Sequence, residues 1–84
     1  MSSELIEDGA SVGVVDVRGL PCILRHAAIM DRFDALRPGE SFLIVNDHEP
    51  AALRTRFDVR AEWPFAWVDE ERGPEDWRVR VSRP

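Results

Sequence analysis

Few side chains in this sequence carry usable chemistry: Cys22, His26, His48, the carboxylates and the arginines. All 11 basic residues are arginine and tyrosine is absent. Without lysine there is no Schiff-base chemistry and no phosphate-binding loop of the Gly-Lys-Ser/Thr kind. The densest stretch is Asp16-Val17-Arg18-Gly19-Leu20-Pro21-Cys22. An apolar run, Val12 to Val17, turns on a glycine and delivers the sole cysteine to the start of an apolar-periodic segment. A helix start carries unpaired N–H groups and roughly +0.5 charge, which favours a thiolate placed there. His26 falls one helical turn after Cys22 on the same face, and Arg18 is expected beside both. A second polar cluster, Asn46-Asp47-His48, follows a later apolar run.

These groups need a scaffold, and the apolar pattern supplies one. Val12–Val17 reads as a strand apolar on both faces, hence buried. Cys22, His26, Ile29, Phe33 and Leu36 mark one helical face, widened by Ile23, Ala27 and Met30. Arg37-Pro38-Gly39 stops that helix. Ser41–Asn46 reads as a second, central strand. Asp47-His48-Glu49-Pro50 reads as a cap and helix start, with a helix from 51 to about 59 that buries Leu53 and Phe57. Residues 65–69 form a third strand and Arg72-Gly73-Pro74 a turn. In the last strand, 76–82, Trp77, Val79 and Val81 alternate with Arg78, Arg80 and Ser82, one face in the core and one in water. The order β-α-β-α-β-β predicts an α/β (α+β) two-layer sandwich. Its mixed four-stranded sheet carries both helices on one face, with a right-handed crossover between parallel strands one and two and a terminal hairpin.

Parallel strands one and two end on one sheet edge, where ligand sites of open α/β sheets gather. That edge receives Asp16, Arg18, Cys22 and His26 from the first crossing, and Asn46, Asp47 and His48 from the second. Each has a simpler role available: Cys22 as a small apolar filler, His26 as a bonded boundary histidine, Asp47 as a helix cap, Arg18 as the ion-pair partner of Asp16. The three tryptophans read as core or interface mass. His26 and His48 titrate near neutral pH and are candidate metal ligands, although no pair has a specific metal-motif spacing. A small anion, an acidic partner segment and a metal ion all remain open as occupants of the edge.

At 84 residues the chain is one small domain, read as a flexible leader over 1–11 and a single domain over 12–84. The net charge of -5 argues against a nucleic-acid partner. No apolar run approaches the ~20 residues of a membrane span. The acidic first residues do not resemble a signal peptide, so a cytoplasmic setting is expected. One cysteine excludes an internal disulfide.

At Asp16, Gly19, Leu20 and Cys22 the chain resembles the sulfur-carrier family of TusA and SirA type, with its strand followed by Asp-x-x-Gly-Leu-x-Cys-Pro-x-Pro. Ile23 and Arg25 stand where that pattern has prolines. The resemblance implies the same fold and a persulfide sulfur carried on Cys22. The closer resemblance is to a related family of unknown function with that fold, often found beside hemerythrin-type domains and genes of nitric-oxide or respiratory metabolism. The elements that carry it are Asp16 to Pro21, Arg25-His26, Phe33 to Glu40, Asn46 to Pro50 and Gly73 to Val79. In that family the Cys22 position is commonly proline, which directs attention to the Arg-His and Asn-Asp-His elements.

The expected function is that of a small accessory protein, at most sulfurtransferase-like, with no certain cofactor and a metal ion as the candidate one. One expectation is persulfide or redox-linked transfer through Cys22, with Arg18 and His26 favouring its thiolate. The alternative is a non-catalytic metal- or partner-binding module using His26, Asp47 and His48. The resemblance implies a protein partner, either hemerythrin-type or a redox or sulfur-transfer protein. An interaction domain using Arg78 and Arg80 on the exposed hairpin face is the third reading.

Overall fold

The computed structural model describes residues 10–84. Six elements follow one another: β1 (Ala10–Asp16), α1 (Cys22–Asp34), β2 (Glu40–Asn46), α2 (Ala51–Arg60), β3 (Ala66–Arg72) and β4 (Trp77–Ser82). The strands form one mixed sheet in the order β1-β2-β4-β3. β1 runs parallel to β2, and β4 runs antiparallel to both β2 and β3. The expected α+β order and terminal hairpin are both present. Most of the stretch read as a leader lies outside the described residues. Ala10 and Ser11 belong to β1, because they pair with Glu40 and Ser41.

The core lies between one sheet face and the two helices. Phe42 and Ile44 of β2 and Val79 and Val81 of β4 meet Ile29 and Phe33 of α1 and Leu53 and Phe57 of α2. Two-residue alternation along the strands and three- and four-residue spacing along the helices put these side chains on one front. Phe33 and Phe57 stack with ring centroids 4.1 Å apart and planes inclined by 6°. Phe65 meets both rings edge-on. This stack joins the two helices and fixes their relative placement.

Three expectations are corrected. β1 is not a buried strand: it is an edge, and Val14 is 57% exposed because, among the described residues, no helix covers the second face of the sheet. Ile23 does not widen the buried stripe of α1 but stands 82% exposed. The helix also ends at Asp34, ahead of the Arg37-Pro38-Gly39 breaker. From there the chain turns through a bond from Glu40 N–H to Arg37 O, with Gly39 at φ +87°. The predicted alternation in β4 is present. Arg78 and Arg80 lie on the uncovered face, paired with Glu71 and Glu70, and Arg80 also donates to Ser41 Oγ. No helix among the described residues is long and apolar enough to cross a membrane.

Candidate functional site

Because β1 and β2 are parallel and each is followed by a helix, α1 and α2 both start at the same sheet edge. The buried stripe of α1 becomes shallower toward this edge: Phe33 and Ile29 are fully covered, His26 is half-buried and Cys22 is exposed. The helix starts therefore leave between them a crevice of about 110 Å³. Its walls include Cys22, Arg25 and His26 from α1, Asn46 from β2, and His48 and Glu49 from the β2–α2 turn. Of the sequence candidates, Cys22, His26, Asn46 and His48 thus come together.

The turn is held by Arg25, which the residue pattern placed off the apolar stripe of α1. Its guanidinium donates to Asn46 Oδ1 at 2.9 Å, to Asp47 Oδ1 at 2.7 Å and Oδ2 at 3.2 Å, and to the carbonyl of Leu20. Charge-assisted bonds with two contact points fix orientation as well as distance. Asp47 does not cap α2 as expected. Pro50 occupies the cap position, its ring having no side-chain acceptor to offer, while the Asp47 carboxylate, three residues earlier, is engaged by Arg25. Those bonds, then one from His48, hold the Asp47 carboxyl well below the usual carboxylate range, and the Gly19 backbone adds to the effect.

His48 Nδ1 lies 2.9 Å from Asp47 Oδ1 and 3.2 Å from Arg25 Nη1. A protonated Nδ1 donates to the carboxylate, whereas a bare Nδ1 accepts from the guanidinium. In either case Nδ1 is engaged and Nε2 is the ring nitrogen left for chemistry. Burial lowers the pKa of His26, helped by the nearby Arg56 and His48, which favours the uncharged imidazole.

Arg18 is not part of this group. Its guanidinium bonds both carboxylate oxygens of Asp16 and reaches Asp76 at 3.3 Å. It lies two residues from Asp16 in a turn closed by Leu20 N–H to Val17 O, and the carboxylates draw it away from the thiol. The guanidinium that lines the crevice with Cys22 is that of Arg25. The Arg-His element of the family pattern was the signal that pointed to it. Among the described residues no three His, Cys, Asp or Glu side chains stand close enough to hold a metal ion.

Residues 14–83 match the family described as Uncharacterized conserved protein (DUF2249). No curated protein and no solved structure matches the chain.

Proposed function

We propose that this chain, which belongs to the uncharacterized conserved family DUF2249, is a small accessory domain that carries a sulfur atom on Cys22 between protein partners. The observation that carries this reading is the placement of Cys22. It is an exposed thiol on the first turn of α1 and lines one crevice with Arg25, His26 and His48. Arg25 and Asp47 bond one another, and Arg25 also donates to Asn46 Oδ1. Cys22, His26 and the Nε2 of His48 are what remains for chemistry. The TusA- and SirA-type resemblance at Asp16, Gly19, Leu20 and Cys22 supports the same assignment.

In the proposed step the Cys22 thiolate attacks the outer sulfur of a donor persulfide, R–S–SH. The donor S–S bond breaks, Cys22–S–SH forms, and R–S⁻ leaves. No external oxidant is consumed. His26, one turn along the helix, can take the thiol proton beforehand. Partners are then proteins that give or receive sulfur, and the resemblance adds hemerythrin-type domains to the candidates.

Intact mass after incubation with glutathione persulfide tests the reading. Wild type and Arg18→Ala are expected to gain one sulfur atom and Cys22→Ser none. A wild-type mass that does not change retires the carrier role.

A second reading is favoured by the Arg25–Asp47–His48 network, which is assembled without any contribution from the thiol. In this reading the edge is a partner-binding module, so Cys22→Ser keeps partner binding and His48→Ala loses it.

A further inference from the structure

We propose that the cleft between α2 and the β3–β4 hairpin binds a small aromatic carboxylate, its ring against Trp67 and Trp77 and its acid group on Arg54 and Arg72. The cleft holds about 170 Å³, walled by Glu49 and Arg54 on the α2 side and by Trp67, Asp69, Arg72 and Trp77 on the hairpin. A β-bulge between Asp69 and Glu71 sets its chemistry. Side chains alternate along a regular strand, so Glu71 would join Trp67 and Asp69 on the helix-facing side and Arg72 would turn to the uncovered face. The bulge exchanges them. Arg72 pairs with Trp77 on the helix-facing side, while Glu71 pairs with Arg78 and bonds it on the uncovered face. A carboxylate leaves the cleft and a guanidinium enters it, the kind of re-aiming for which bulges beside binding sites are known.

The two arginines of the cleft are uncommitted. Arg18, Arg25, Arg60, Arg78 and Arg80 are paired with carboxylates, whereas among the described residues the side chains of Arg54 and Arg72 bond to no polar group. Arg54 Cζ lies 5.7 Å from the Trp67 ring centroid, inside the ~6 Å reach of a cation–π contact. Of the two carboxylates in the wall, Asp69 already accepts the Trp67 indole N–H at 3.1 Å, which leaves Glu49. Two free guanidinium forks against one free carboxylate favour an acid over an amine, because a fork binds a carboxylate at two points. The rings supply the rest. Trp77 is seated against Gly73, where an added Cβ would lie 2.6 Å from it, and Trp67 meets Phe57 edge-on, so both indoles are held in place to receive a planar partner. A volume near 170 Å³ is below the ~300–1,000 Å³ of a drug-sized pocket and suits a single ring bearing one carboxylate. The assignment does not depend on Cys22 carrying sulfur.

The chain has three tryptophans, so a ¹⁵N-correlated NMR spectrum carries three indole N–H signals. The test titrates sodium benzoate, sodium cyclohexanecarboxylate and benzylamine hydrochloride separately at constant ionic strength. Benzoate is expected to shift the Trp67 and Trp77 signals saturably with one dissociation constant. Trp63, packed between Phe33 and Arg83, should stay in place. Cyclohexanecarboxylate keeps the charge and loses the planar ring, and benzylamine keeps the ring and reverses the charge, so both should bind more weakly. Arg54→Gln and Arg72→Gln change exposed side chains, and each should weaken benzoate about tenfold through a lost charge-assisted bond. Arg37→Gln, outside the cleft, should bind as wild type does. Shifts that do not saturate, equal affinity for either control compound, or unchanged affinity in both arginine variants of the cleft would overturn the proposal.

Discussion

Phe57→Ala tests whether the aromatic joint sets the positions of the two helix starts. Phe57 is fully buried, stacked at 4.1 Å on Phe33 and met edge-on by Phe65 at 5.7 Å and Trp67 at 5.8 Å. Removing a buried ring costs about 3–5 kcal/mol when the surroundings cannot collapse. Three aromatic neighbours, Phe33 on α1, Trp67 on β3 and Phe65 just before it, leave little freedom to do so. A domain of 84 residues has a total stability of roughly 4–13 kcal/mol, so the substitution removes a large share of it. With a urea slope of about 1–2 kcal/mol per molar, the unfolding midpoint should fall by roughly 3 M. Val59→Ala, on the same helix but 84% exposed, should stay within about 0.5 kcal/mol of wild type. A Phe33→Leu/Phe57→Leu double-mutant cycle should show a coupling of about 0.5–1.5 kcal/mol. If Phe57→Ala costs less than about 1.5 kcal/mol, well below the range for a ring that leaves an unfilled cavity, the stack is not the joint described here.

Two further outcomes follow from local geometry. The Asp47 carboxyl is held below its ordinary value of 3.8, first by Arg25 and then by His48. Its contribution is therefore fully present above that value and is lost as pH falls below it. Urea midpoints measured against pH should drop less steeply below about pH 5 in Asp47→Asn than in wild type. Some slope should remain, because Asp16 and Asp34 are lowered by Arg18 and Arg60 in the same way. Gly73→Ala should destabilise by about 1–3 kcal/mol, read by thermal unfolding. Gly73 has φ +74°, and an added Cβ would lie 2.6 Å from the Trp77 ring. Gly39→Ala, at φ +87° in open space, carries the backbone strain alone, so it should cost less; equal costs would show that Trp77 yields freely.

The architecture was legible because burial follows periodicity. The alternation in β4, the Ile29–Phe33–Leu36 stripe and the pair Leu53 and Phe57 all took the predicted faces. Misreadings arose where burial depends on a neighbour that sequence does not name. Val12 and Val14 have the composition of a central strand, yet sheet order makes β1 an edge with one uncovered face. The site was legible at the level of elements for the same reason: parallel strands bring Cys22, His26, Asn46 and His48 to one edge. What sequence could not assign was which arginine serves that edge. Arg18 is four residues from Cys22 and Arg25 is three, so proximity along the chain does not separate them. Carboxylate position does. Asp16 and Asp76 stand where Arg18 can reach them from the β1 turn, while Asp47 comes to Arg25 from a turn 22 residues away. An arginine side chain is long enough to follow its partner, and the partner is set by the crossover through β2. The arginine that lines the crevice with Cys22 is therefore anchored by the β2–α2 turn and not by the motif that contains the cysteine. A substitution at Asp47 should for that reason alter the surroundings of the thiol more than one at Asp16, although Asp16 lies within the motif.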